Sequence, residues 1–215
     1  MYQPSQFVEE RPEVLHALIH DHPLAALITM HGEEIEANHI PFMLMPPTAG
    51  APHGVLRGHV ARNNIAWQSA GSGKDALLIF QGPQAYISPR WYEEKKHSGK
   101  VVPTYNYAVV HAYGPLRVID DRQEFLALLS DLSDHFETRM DQPWKVSDAP
   151  PEYIDMIMDM IVGIEIPIRR IHGKWKTSQN KTSQDRINMV NGLREQGAGN
   201  DLAMADVMEQ QLFTS

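Results

Sequence analysis

The stretch from Leu77 to Gly114 most constrains what this chain can fold into. β-Branched and aromatic residues recur in it and are interrupted by Gly-Pro, a pattern typical of paired strands joined by turns. Polar side chains stand among them, and a polar group inside an apolar sheet needs a partner in the protein or in a ligand. The segment therefore predicts a small β-barrel with a lined binding surface. The polar residues are Gln81, Gln84, Ser88, Thr104, Asn106 and His111.

Hydrophobic periodicity divides the remainder into helices and strands. Pro41 predicts a bend or a sheet edge, because proline cannot donate to a ladder. A short helix after Ala61 is expected to be capped by Asn63 or Asn64. Together the elements indicate an α+β barrel. Helices are predicted over 11–20, 63–70, 122–137, 151–160, 182–194 and 200–211, strands over 24–30, 35–45, 55–61, 109–119 and 161–171, and a hairpin over 76–88 turning at Gly82-Pro83.

The composition excludes several classes of protein. The chain has 215 residues and no cysteine, which rules out disulfides and thiol nucleophiles. A net charge of -8 argues against non-specific binding to DNA or to anionic membranes. No apolar run approaches the ~18 residues needed to cross a bilayer, and the N-terminus lacks the apolar core of a signal peptide. We therefore expect a soluble, cytoplasmic protein.

Two further patterns are discounted. His16, His20 and His22 have a spacing near that of zinc ligands, but no fitting carboxylate pair follows, so no metal site is predicted. The last two predicted helices are similar to a helix-turn-helix. The second of them carries acids and no Lys or Arg, which is the wrong sign for a DNA groove. We interpret this pair as a packing hairpin.

Five long blocks resemble the PaiB family of FMN-binding split-barrel proteins, also called FMN-binding negative transcriptional regulators. The resemblance implies an antiparallel split β-barrel of the pyridoxamine-phosphate (PNP) oxidase type with flanking helices over residues 1–181. It implies a C-terminal helical extension packed on that barrel over 182–215, a homodimer, and FMN at the dimer interface. The blocks are ANHIPF at 37–42, LRGHVARNN at 56–64, IFQGPQAYISPRWY at 79–92, VPTYNYAVVHAYG at 102–114 and GKWKTSQNK at 173–181.

The FMN phosphate is a dianion that basic side chains and neutral donors bind. On the resemblance, Arg62 is expected to bind this phosphate, with Asn63 and His59 beside it where a strand runs into a helix start. The alternative is that Arg62 is an exposed loop residue and Asn63 is only a cap.

The other expected flavin contacts lie on an early strand and on the last one. Ile40 and Pro41 are expected along the flavin, while His39 either contacts the cofactor or bonds to neighbouring backbone. The alternative for the tryptophan of the last block is core packing, and the alternative for its lysines is a solvated face. The expected contacts in that block are Trp175, Lys176, Ser178 and Gln179.

The resemblance leaves three functions open. The first is a flavin-binding regulator that represses target genes such as protease or sporulation genes. Its expected DNA-contacting surface is residues 169–186, which carry six basic side chains and one acid. The second is a flavin-dependent oxidoreductase of the PNP oxidase type, and the third is a flavin or haem sensing module without turnover. No catalytic residue is assigned, since no G-x-S-x-G motif or carboxylate pair stands out and any catalysis would be that of the cofactor.

Overall fold

The computed structural model describes residues 1–213, which fall into two compact units. The first unit contains Met1–Asp21, Gln81–Val110 and the chain from His172 onwards. The second unit contains His22–Phe80 and His111–Ile171. Residues 182–213, part of the predicted C-terminal extension, therefore belong to the first unit.

The elements confirm the predicted α+β class. None of the helices within residues 1–213 is both long and apolar enough to cross a membrane. The strands are β1 (Val8–Glu9), β2 (Leu24–His31), β3 (Glu34–Pro41), β4 (Met43–Met45), β5 (Val55–Ala61), β6 (Asp75–Ile87), β7 (Thr104–Pro115), β8 (Arg117–Val118), β9 (Ile161–Pro167) and β10 (Arg170–Lys176). The α-helices are α1 (Pro12–Asp21), α2 (Glu94–His97), α3 (Arg122–Glu137), α4 (Pro151–Met160), α5 (Ser183–Gln196) and α6 (Gly199–Phe213). Short 3-10 helices lie at Ser5–Phe7, Ile65–Ser69, Pro89–Trp91 and Val146–Asp148.

Antiparallel sheets frame the second unit. Its strands follow the orders β6-β2-β3 and β4-β5-β9-β8. β3 pairs with β2 along its whole length, from Leu24 opposite Pro41 to His31 opposite Glu34. Pro41 ends this strand, and β3 is an edge strand of the unit, which confirms the predicted sheet edge. The chain resumes as β4 on the other sheet.

Helices α3 and α4 cover one face of the β5–β9 sheet in the second unit. Asp121 caps α3 by accepting a hydrogen bond from the Glu124 backbone N–H at 2.8 Å. The ring of Phe125 packs over Gly163 of β9, where a Cβ atom would lie 2.7 Å from its Cδ2. This absence of a side chain lets the helix approach the sheet closely. The buried residues of the layer are Ile119, Phe125, Leu128, Leu132 and Met158.

In the first unit the strand order is β1-β10-β7-β6. Val8 lies opposite Lys174, so the N-terminus runs beside β10. The predicted C-terminal helices are confirmed as α5 and α6, and α5 ends at Gly197, whose φ of +68° suits glycine. These helices share one buried cluster with the end of β6, formed by Ala85, Ile87, Tyr92, Met189, Val190, Leu193, Met204, Ala205 and Met208.

Several predicted elements are wrong in detail. The strands predicted over 35–45 and 109–119 are divided, the first into β3 and β4 and the second between β7 and β8. Gly82-Pro83 is not a turn, because β6 runs straight through it. The glycine instead permits close packing, since a Cβ there would lie 2.8 Å from Leu18 Cδ1 and 3.1 Å from the Ala108 carbonyl oxygen. The strand predicted over 161–171 is divided into β9 and β10. The helix predicted over 63–70 is a 3-10 helix of five residues, capped by Asn64 and not by Asn63.

Candidate functional site

A cavity of about 270 Å³ in the first unit gathers polar side chains from the N-terminus, β7, β10 and the loop after β10. Two of its lining residues are lysines and none is an acid. The wall therefore carries positive charge with no carboxylate in it to compensate. The lining residues are Gln6, Phe7, Tyr92, Val102, Pro103, Thr104, Asn106, Lys176, Ser178, Asn180 and Lys181.

One wall of the cavity is built on an unusual backbone. Ser178 has a φ of +62°, and within residues 1–213 no other non-glycine residue has a positive φ. Such conformations cost free energy and tend to occur at ligand sites. The Ser178 hydroxyl donates to the side-chain oxygen of Asn106 at 3.1 Å. Asn106 is fully buried on the β7 face that also carries Thr104, Ala108 and Val110, so this polar pair lies beside the apolar core.

Both lysines of the wall are held by neighbouring groups. The Lys176 ammonium donates to the Thr104 hydroxyl and to the Tyr105 carbonyl. Burial, and then the nearby charge of Lys174, lowers the pKa of Lys176 below its usual value. An anion in the cavity would oppose both effects. The ammonium of Lys181 lies 5.0 Å from the centre of the Tyr92 ring, in a cation–π contact.

Two other predicted contacts in this unit have structural roles. Trp175 is 7% exposed and packs over Gly173, where a Cβ atom would lie 3.0 Å from its Cζ3. The Gln179 amide closes the loop after β10: its Nε2 donates to the Trp175 carbonyl at 2.5 Å, and its Oε1 accepts from the Thr177 N–H at 2.9 Å. Of the four predicted residues, Lys176 and Ser178 line the cavity.

The second unit brings two of the sequence blocks together. Asn64 Nδ2 donates to Asn38 Oδ1 at 2.7 Å, which joins the 56–64 block to the 37–42 block. Farther along β5, Gly58 allows close approach of β3, because a Cβ there would lie 2.9 Å from the Pro41 carbonyl oxygen. The two blocks that carry the early flavin contacts expected from the resemblance are therefore adjacent in the fold.

The Arg62 guanidinium binds the end of a helix. Its Nε donates to the Asp159 carbonyl at 2.6 Å, and its Nη2 donates to the Ile161 carbonyl at 3.0 Å. Both carbonyls lie at the C-terminus of α4, where a cation is favoured by the helix dipole. Asn63 is exposed in the adjoining turn. The helix beginning beside these residues is a short 3-10 turn, which offers an anion little of a helix dipole.

The edge strand β3 divides the three residues expected along the flavin between its two faces. Ile40 is 6% exposed and belongs to the core of the second unit. His39 and Pro41 are exposed on the opposite face, because successive side chains of a strand alternate. No described contact places Ile40 on a ligand-facing surface.

His59 is half-buried beneath the helices of the second unit. It lies opposite Gly163 in the β5–β9 register, on the sheet face that α3 covers. Its Nδ1 has no hydrogen-bond partner among the described residues. This partial burial lowers the pKa of the imidazole below its ordinary value of 6.5.

This burial predicts a pH-dependent stability. Below pH 6.5 the unfolded chain binds a proton at His59 more readily than the folded protein does. The free energy of unfolding should therefore fall as pH decreases. Above pH 6.5 both states hold the neutral ring and this contribution is flat. Urea unfolding from pH 8 to pH 5 should show a shallower decline in His59→Leu than in the unmodified protein. Parallel curves would contradict the assignment.

Comparisons with known proteins give one family and several relatives. Residues 1–170 match the family described as "Putative FMN-binding domain". An uncharacterized protein of Emericella nidulans is 34% identical, with 98% of this chain and 97% of that protein covered. The protease synthase and sporulation protein PAI 2 of Bacillus subtilis is 28% identical, with 99% and 98% covered.

Solved structures with similar folds are more distant in sequence. The FAD and haem binding protein of Mycobacterium smegmatis aligns with a TM-score of 0.54 at 15% identity, covering 82% of this chain and 76% of that one. The flavocytochrome Anf3 of Azotobacter vinelandii aligns with a TM-score of 0.53 at 14% identity, covering 84% and 75%. These likenesses bear on the fold alone, and the predicted split-barrel fold is confirmed.

Proposed function

Because the chain belongs to the FMN-binding domain family, we propose that the cavity of the first unit holds the FMN phosphate. The family match confirms the predicted family and its cofactor, FMN. The position of the phosphate is our proposal. The observation that carries it is the cavity wall, with Lys176 and Lys181 among neutral donors and no acid. Ammonium groups bind phosphate through charge-assisted hydrogen bonds, which are stronger than those between neutral groups.

The size of the cavity fits part of the cofactor. Pockets that enclose a whole drug-sized ligand span roughly 300–1,000 Å³. A volume of about 270 Å³ suits the phosphate and the adjoining chain, with the ring outside this cavity. The matched family range ends at residue 170. The proposal for Lys176 and Lys181 therefore rests on their geometry.

The start of α5 adds positive potential to this end of the unit. Asn180 and Lys181 line the cavity and directly precede Thr182, the N-cap of this 14-residue helix. Free backbone N–H groups and the dipole favour an anion at such a terminus. Arg186, in the following turn, is 7% exposed, and its Nε and Nη2 have no hydrogen-bond partner in the described part of the chain. Asp185, in the first turn of the same helix and also 7% exposed, offsets part of this positive charge.

A comparison of FMN with riboflavin tests this proposal, because the two differ only in the phosphate. We expect the unmodified protein to bind FMN at least about ten-fold more tightly, as one charge-assisted contact is worth roughly 1.5–3 kcal/mol. Titrations followed by quenching of flavin fluorescence measure both dissociation constants. Equal affinities would mean that no cationic site holds the phosphate.

Arg62 provides the discriminating variant. We expect Arg62→Gln to lower the free energy of unfolding by about 1 kcal/mol, since hydrogen bonds to two carbonyls are lost. The preference for FMN over riboflavin should be unchanged. Urea unfolding and the two titrations measure these effects. Loss of the preference in this variant would show that the phosphate binds at Arg62, as the resemblance of the 56–64 block implies.

We further propose that the protein is a cytoplasmic, homodimeric flavin-dependent regulator of gene expression. The likeness to the Bacillus subtilis protease synthase and sporulation protein, along nearly the whole of both chains, supports the link to gene expression. The charges do not favour direct contact with DNA: within the basic segment Lys174 and Arg186 are both 7% exposed, and the net charge is -8. We propose that repression acts through another macromolecule. A gel shift at low salt checks this, since a retarded DNA band would contradict it, and sizing of the same sample tests the dimer.

A further inference from the structure

We infer that helix α6 positions the buried Asn106–Ser178 pair at the cavity wall through Met208 and Gln211. None of the described residues of α6 lines the cavity, so the helix would act on a bound phosphate through Asn106 and the loop after β10. This inference rests on the proposed phosphate site. It adds two positioning residues to that site and explains what the chain beyond residue 170 contributes to it.

The carboxamide of Asn106 is held at both of its ends. Its Oδ1 accepts from the Ser178 hydroxyl at 3.1 Å, and its Nδ2 donates to the Met208 thioether at 3.4 Å. A thioether is a weak acceptor, so the amide nitrogen is oriented by Met208 without being strongly bound. Asn106 also lines the cavity. Because Asn106 is 0% exposed, it acts on a bound phosphate through the loop after β10, whose Ser178 and Asn180 also line the cavity.

A second contact links α6 to the loop that carries Ser178. The hydroxyl of the preceding residue, Thr177, donates to the side-chain oxygen of Gln211. The Thr177 backbone N–H is taken by Gln179, so this residue is fixed by side chain and backbone together. Ser178, the partner of Asn106, is thereby held in its positive-φ conformation. Both ends of the Asn106–Ser178 pair therefore depend on α6.

Simple packing is the competing explanation, and the helix supplies its own control. Met204 and Met208 are one helical turn apart, and both are fully buried in the same cluster. Their contributions to packing are matched, and a leucine replaces a methionine with little change of volume. Only Met208 accepts the hydrogen bond from Asn106 in the described structure. A packing role predicts similar effects at the two positions, whereas a positioning role predicts an effect at Met208 alone.

The test is the ratio of the riboflavin and FMN dissociation constants in Met208→Leu and Met204→Leu. We expect the preference for FMN to fall roughly 3- to 10-fold in Met208→Leu, as for one lost hydrogen bond. It should stay at the unmodified value in Met204→Leu. Riboflavin affinity should be the same in both variants, because riboflavin has no phosphate to contact this wall of the cavity. Met208→Gln returns an acceptor to this position and should restore most of the preference.

Gln211→Leu gives an independent result at a half-buried position, where the substitution is compatible with folding. We expect it to reduce the preference in the same direction as Met208→Leu. An unchanged preference in both Met208→Leu and Gln211→Leu, or an equal loss in Met204→Leu, would overturn the inference while leaving the phosphate site intact. A lack of preference in the unmodified protein would instead overturn the proposed function, and the inference with it.

Discussion

Replacing Lys176 with methionine should weaken FMN binding by roughly 10- to 100-fold, the magnitude of one lost charge-assisted contact. Methionine keeps much of the length of the side chain and its apolar contacts but removes the ammonium that faces the cavity. Riboflavin affinity should be unchanged, since the neutral ribityl chain gains nothing from the charge. Fluorescence titrations with both flavins measure the effect.

Lys95→Met is the matched control for this variant. Lys95 is exposed on α2, and its loss makes the same change in net charge. If Lys95→Met weakened FMN binding as much as Lys176→Met, the effect would be one of overall charge and not of the cavity. If Lys176→Met left FMN binding intact, the phosphate would lie elsewhere in the protein.

Gly114→Ala should destabilise the fold by about 2–4 kcal/mol, at or beyond the upper end of the usual cost of overpacking. A Cβ on Gly114 would lie 2.1 Å from the Pro167 carbonyl oxygen and 3.0 Å from Ile166 Cγ2. The oxygen belongs to the backbone of the second unit and cannot move aside as a side-chain tip can. Urea unfolding measures the loss in free energy.

The control for Gly114 is Gly50→Ala. No heavy atom lies within 4 Å of a Cβ built at Gly50, and its φ is not positive. This substitution should leave the unfolding midpoint nearly unchanged, or raise it slightly by restricting the unfolded chain. Similar midpoints for the two variants would show that the close approach at Gly114 is relieved at little cost.

Local sequence signals predicted the regular elements well where periodicity and capping agreed. Helix α3 has an acidic N-cap and an apolar face, and it spans the predicted residues. The signals failed where a distant contact decides the local structure. Gly82 precedes a proline and so favours a turn, yet its role is to admit Leu18 against β6. That neighbour is more than sixty positions away in the chain, and no local pattern indicates it.

The candidate site could be predicted only in part, because distant contacts also shape it. Lys176 and Ser178 were indicated by the resemblance of the block at 173–181 to the PaiB family. Gln6 and Phe7 were missed, since they reach the cavity through β1, a two-residue strand with no sequence signature. Tyr92 was also missed as a lining residue, although it lies in the block at 79–92. The contact of Arg62 with the end of α4 depends on residues almost a hundred positions away.

A crystal structure of the protein grown with FMN would test the phosphate site most directly. The phosphate should lie in the cavity of the first unit, with oxygens within hydrogen-bond distance of the Lys176 and Lys181 ammonium groups. A phosphate bound at Arg62, with that cavity holding only solvent, would contradict the proposed site.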